Sequence, residues 1–116
     1  GVYATDQVSV RVSDLAVIPE IMQRLRSNPP TEIAGAQVTE FIDLAVATKL
    51  LPPTDGVLFN LGGGGRVIVR PSGTEPKVKV YLQSVVGVED TNLAAARAQA
   101  AANLAAMAKA AGTWLS

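Results

Sequence analysis

The chain has 116 residues, 48% of them apolar and 17% charged, with ten Lys plus Arg against ten Asp plus Glu. That length fits one domain with its own core, and the balance disfavours both a disordered chain and a surface built to coat nucleic acid, so anion recognition here has to be local. With no Cys and no His, disulfides, thiolate nucleophiles, imidazole bases and almost every zinc arrangement drop out, leaving carboxylates, hydroxyls and cations.

No apolar run approaches the roughly 18 residues that span a bilayer, and no secretory signal opens the chain, so the expectation is a soluble, cytoplasmic protein without a membrane partner. The chain starts on Gly1, within "GVYATDQVSVRV", which reads as the middle of a longer polypeptide. In "VSVRV", residues 8–12, apolar and polar residues alternate, with Val8, Val10 and Val12 on one face; this predicts a strand or a hinge leading into the domain. Residues 1–14 are accordingly expected as a hinge or strand, and residues 15–116 as the domain proper.

"SDLAVIPEIMQRLRSNPP" places Ile18, Ile21, Met22 and Leu25 on one helical stripe, with Pro19 in the first turn and Asn28, Pro29 and Pro30 as the stop. The β-formers of "TEIAGAQVTEFIDL" predict a strand over 36–43. After the loop "ATKLLPPTDG", strands are expected at 57–61, 66–70 and 77–86, joined by connections so short that their pairing must be antiparallel. Val67, Val69, Val78, Val80 and Leu82 then face the core, and Arg66, Ile68, Arg70, Lys77, Lys79 and Tyr81 form an opposite, cationic face. From Thr91 to about Ala111 the Ala-rich sequence predicts a helix capped by Asp90 or Thr91 and stopped at Gly112. Its stripe is Leu93, Ala100, Leu104, Met107 and Ala111. The fold class is thus α+β: a four-stranded antiparallel sheet with two helices on one face.

Two glycine-containing segments invite a functional reading. "LGGGGR", Leu61 to Arg66, lacks the Lys-Ser/Thr of a P-loop and the following helix of a dinucleotide fingerprint, and reads as a hairpin tip in which glycine supplies positive φ. "RPSGTEPK", Arg70 to Lys77, is different. Pro71 fixes φ, Gly73 lets the backbone curl, Ser72 and Thr74 add hydroxyls, and Arg70 adds a planar fork matched to two phosphate oxygens. These residues describe an anion cradle, although ordinary surface turns favour the same residue types.

"RVIVRPSGTEPKVKVYLQ", Arg66 to Gln83, resembles the signature of the last domain of the α-D-phosphohexomutases, the phosphoglucomutase and phosphomannomutase family; "LPPTDGVLF", "YATDQVSVRV" and "LRSNPP" extend the likeness more loosely. The resemblance implies a TATA-binding-protein-like unit, the fourth of four around a cleft, whose loop holds a substrate phosphate. Carried to this sequence, Arg70, Ser72, Gly73 and Thr74 would bind the phosphate that is not being transferred, with Lys77 a weaker candidate at the border. Glu75 would tether the loop, since its carboxylate would repel a dianion.

In the family a phosphoserine passes its phosphoryl group to a hexose monophosphate, the bisphosphate reorients, and the other phosphate returns to serine. Both ends of the sugar therefore use the same cradle in turn. The serine loop of the T-A-S-H-N-P type, the magnesium loop D-G-D-x-D-R and the sugar-reading loop G-E-x-S-G-H have no counterpart here. The resemblance therefore implies that Ser72 is not the phosphoserine, that Mg2+ is held by a domain this chain does not contain, and that the chain alone holds one phosphate and is inactive. Its expected partners are a hexose phosphate and the preceding domains of the same polypeptide, which a hinge near residues 1–14 would bring together. "PKVKVY" is more similar to the glucose/mannose branch than to the glucosamine branch. Other readings are a freestanding phosphosugar-binding module and a structural interaction domain; two Tyr, two Phe and one Trp on a chain of zero net charge give nucleic-acid binding little support.

Overall fold

Valine at every second position is the force behind the sheet. In the computed structural model, which describes residues 2–46, 54–87 and 92–115, β1 (Val2–Arg11), β2 (Glu32–Ile33), β3 (Ala36–Asp43), β4 (Val57–Leu61), β5 (Arg66–Pro71) and β6 (Lys77–Val86) form one sheet in the order β1-β6-β5-β4-β3-β2. Every neighbouring pair is antiparallel. Val57, Phe59, Val67, Val69 and Val78 have no exposed surface, and Val80 and Leu82 almost none. Each such side chain contributes roughly 1.5–3 kcal/mol by leaving water.

The helices α1 (Val17–Ser27) and α2 (Leu93–Trp114) cover that valine face. All four stripe residues of α1 are buried, and Asn28 ends the helix, donating its N–H back to the Arg24 carbonyl at 2.9 Å. Trp114 packs on Phe59, which packs on Phe41, with ring centroids 5.7 and 5.3 Å apart. This aromatic chain ties the end of α2 to the centre of the sheet.

The sheet corrects several expectations. It has six strands rather than four. Residues 8–12, expected as a strand or hinge, belong to a ten-residue strand paired with β6 along its whole length, from Val2 opposite Val86 to Arg11 opposite Lys77. Asp6 occupies the inward row between Ala4 and Val8 but stays exposed, and its Oδ1 accepts the Gln7 N–H at 2.8 Å. The added strand β2 is two residues long and joins β3 through Ala34 and Gly35, both at positive φ.

In α2, Asn92 is the N-cap, its Oδ1 accepting the Ala95 N–H at 3.0 Å; the expected caps, Asp90 and Thr91, lie outside the described residues. The helix passes through Gly112 and ends at Trp114. Leu93, expected in the stripe, is 44% exposed, and Ala96 takes the inward place instead, ahead of Ala100, Leu104, Met107 and Ala111. Spacings of four and three residues keep those five on one face.

The glycine hairpin between β4 and β5 is a turn, as its composition predicts. Gly63 and Gly64 have φ of 88° and 97°, and the tip closes through Leu61 N–H to Gly65 O at 2.9 Å and Gly64 N–H to Leu61 O at 3.2 Å.

Candidate anion site

The face of the sheet away from the helices carries a ladder of polar residues set by register. Arg70 stands opposite Lys79, which on its other side stands opposite Ser9; Ile68 stands opposite Tyr81, and Arg66 opposite Gln83. Like charges directly opposed on a sheet repel, and no ion pair among the described residues involves Arg70 or Lys79.

At the end of β5 the chain turns through Ser72 to Pro76. The turn is closed by Ser72 N–H to Lys77 O at 3.0 Å and Lys77 N–H to Glu75 O at 2.7 Å, and the Ser72 hydroxyl accepts the Glu75 N–H at 3.3 Å. A serine that holds the amide three residues on fixes a local turn without help from elsewhere. The Val12 N–H donates to Pro76 O at 2.8 Å, so the loop is also fastened to the chain just beyond β1.

A concave site of about 270 Å³ is lined by Arg70, Pro71, Ser72, Gly73, Lys79 and Tyr81. It is smaller than the roughly 300–1,000 Å³ that enclose a drug-sized ligand and suits a small anion. Arg70, Ser72 and Gly73, three of the five residues singled out from sequence, are brought together here. Thr74 is exposed on the turn, outside the lining. Lys77 also lies outside it, its Nζ 3.6 Å from Glu75 Oε1. Glu75 reaches Arg11 as well, at 3.7 Å, so its carboxylate is engaged by two cations that flank the loop.

Gly73 does not need its glycine for backbone curl, because its φ lies outside the left-handed region and a Cβ there would meet nothing within 4 Å. What glycine leaves at that point is an uncovered backbone beside the cavity. Lys79 and Tyr81 were placed on this face by alternation but not singled out as site residues. Their signal is their register with Arg70 and Ile68. Arg11 carries no such signal, since its link to Glu75 arises only from tertiary structure.

No group of three or more carboxylates among the described residues gathers where a divalent cation could sit. Among the described residues no helix is long and apolar enough to cross a membrane.

A family model described as the C-terminal domain of phosphoglucomutase/phosphomannomutase matches residues 8–106. A probable phosphomannomutase of Haemophilus influenzae is 51% identical over 84 residues, covering 72% of this chain and 17% of the relative. A phosphoglucomutase of Staphylococcus aureus strain USA300 is 36% identical over 75 residues, covering 56% of this chain and 14% of the relative. The chain thus spans about a sixth of the length of the curated relatives it matches. With matched residues running from β1 into α2 and enclosing the whole Arg70–Lys77 loop, the chain belongs to the phosphoglucomutase/phosphomannomutase family and corresponds to its C-terminal domain.

Proposed function

We propose that the chain supplies the phosphate-holding loop of a phosphohexomutase: Arg70, Ser72, Gly73 and Thr74 hold the non-transferred phosphate while hexose 1-phosphate and hexose 6-phosphate interconvert, and Lys79 adds a second charge. The observation that carries this reading is the opposition of Arg70 and Lys79 beside the Ser72–Gly73 turn, two cations without an ion pair among the described residues and a hydroxyl around one small cavity. Lys77 stays at the border, held by Glu75.

The chemistry fits a cradle that serves both ends of a sugar. A guanidinium fork, an ammonium, a hydroxyl and backbone amides recognise phosphate oxygens without contacting what lies behind them. A bisphosphate can then reverse and present its other phosphate to the same donors. Binding energy gathered at the remote phosphate aligns the reacting one, and so acts on the rate although these groups touch no reacting atom.

In this reading the rest of the polypeptide holds the phosphoserine, the Mg2+ and the sugar-reading groups, and this chain alone holds phosphate without turning it over. The names of its relatives favour glucose and mannose phosphates as substrates, the setting is carbohydrate metabolism in the cytoplasm, and the unit is read as TATA-binding-protein-like. Closure of the domain over the ligand would exclude water from the cradle.

The test is titration of the chain with inorganic phosphate and with glucose 1-phosphate, followed by amide NMR. Weak binding, on the order of millimolar and worth roughly 4 kcal/mol, is expected for one open site, with shifts centred on residues 70–79 and alike for both ligands. Arg70→Ala removes them. Shifts elsewhere, or shifts that survive Arg70→Ala, would sink the reading.

A further inference from the structure

At the start of β4, one residue before the Val57–Val69 pair and so beside Arg70, the chain carries Gly56. A Cβ built there would stand 3.1 Å from Arg70 Cγ and 3.0 Å from the Val69 carbonyl oxygen, both tighter than ordinary van der Waals contact. Gly56 is buried and its φ is not in the left-handed region, so backbone conformation does not call for glycine. Room does. With Lys79 opposite Arg70 on one side and a glycine opposite on the other, the arginine stem lies over Gly56, where Leu44 Cδ1 also stands 3.5 Å from the built Cβ.

The Gly56 backbone is itself held from behind. Its carbonyl accepts the Leu44 N–H at 2.9 Å. The preceding residue, Asp55, accepts from Arg26 Nη2 at 2.7 Å, while Arg26 Nε donates to Asp43 Oδ1 at 3.2 Å, an oxygen that also takes the Ala45 N–H at 3.0 Å. One guanidinium in the last turn of α1 thus bridges the end of β3 to the residue before Gly56. Its Asp55 hydrogen bond, then the nearby carboxylate charges, hold the Arg26 pKa above the usual value against the lowering effect of burial.

We propose that Gly56 and Arg26 are positioning residues for the anion site: Gly56 leaves the space that the Arg70 side chain occupies, and Arg26 fixes the backbone on which it rests. This rests on the reading of Arg70 as a phosphate ligand. It links α1, on the far face of the sheet, to the cradle through Asp43 and Leu44 on one side and Asp55 on the other, both meeting at Gly56, without any contact between Arg26 and the ligand.

The experiment compares wild type, Gly56→Ala, Arg26→Lys, Arg70→Ala and the double variant Gly56→Ala/Arg70→Ala, titrated with inorganic phosphate and followed through the backbone amides and the Arg70 Nε–Hε signal. Gly56→Ala is expected to move that signal in the free protein and to weaken phosphate binding ~10-fold, the scale of one misplaced charged hydrogen bond. The double variant, like Arg70→Ala, shows no phosphate shifts, and in Gly56→Ala the amide signals far from residues 56 and 70–79 stay at their wild-type positions, an outcome that general loosening of the fold would not give. Arg26→Lys keeps the charge but cannot bridge two carboxylates, and is expected to weaken binding ~3-fold. It carries the test alone if Gly56→Ala does not fold. Wild-type affinity with an unmoved Nε–Hε signal in the folded variants overturns the proposal. Absence of phosphate binding in wild type overturns the cradle reading instead, and the Nε–Hε signal then still decides whether Gly56 places Arg70.

Discussion

Two loops rich in small residues interrupt the same three strands, and their glycines do opposite work. In the β4–β5 hairpin Gly63 and Gly64 sit at positive φ, where any side chain is strained, and Gly65 has a backbone oxygen 3.2 Å from where its Cβ would be. The fold demands those glycines. In the β5–β6 loop Gly73 has neither a demanding φ nor a neighbour within reach of a Cβ. Glycine that the fold does not need, beside Arg70 and Lys79, which no acid among the described residues pairs, is what the proposed reading of this loop rests on.

That contrast can be broken by substitution. The largest effect on stability is expected at the hairpin: Gly63→Ala has open space around it but must adopt a left-handed φ, costing about 1–2 kcal/mol, while phosphate binding stays unchanged. Chemical denaturation beside a phosphate titration measures both. Gly73→Ala reverses the pattern, with stability within about 0.5 kcal/mol of wild type and weaker phosphate binding, because the methyl group covers backbone beside the cavity. Equal losses of stability at the two positions would end the distinction. The smallest effect belongs to Glu75→Gln, which releases Arg11 and Lys77; these pairs are half exposed and screened, so thermal denaturation at low salt should show a loss of about 0.2–1 kcal/mol that fades as salt is added.

β5 and β6 were legible because their apolar residues alternate strictly, and β3 and β4 because β-forming residues are dense between turn signals. For α1, four apolar residues at helical spacing sufficed. The rest was hidden for physical reasons. Two residues of β2 are too few for any period to register. The first half of β1, "YATDQ", breaks the alternation because an edge strand can leave its inward row exposed at Asp6. The ends of α2 were obscured by alanine, which is helical everywhere and marks no boundary. At the site, Arg70, Ser72 and Gly73 were readable as donors clustered within four residues. Lys79 needed strand register to reach them, Arg11 needed the fold of the loop, and Gly56 was readable only as a turn residue until its distance to Arg70 was known.

Asp6 has a further consequence. β1 is a ten-residue strand on the rim of the sheet, long enough to template another chain by backbone pairing, which is how many sheet proteins begin to aggregate. The carboxylate sits halfway along that rim, in the row that would otherwise be apolar, and it occupies the neighbouring Gln7 amide. An incoming strand would have to strip water from a charge and displace a hydrogen bond at the midpoint of the register. One acidic residue thus guards the open side of the sheet against self-association.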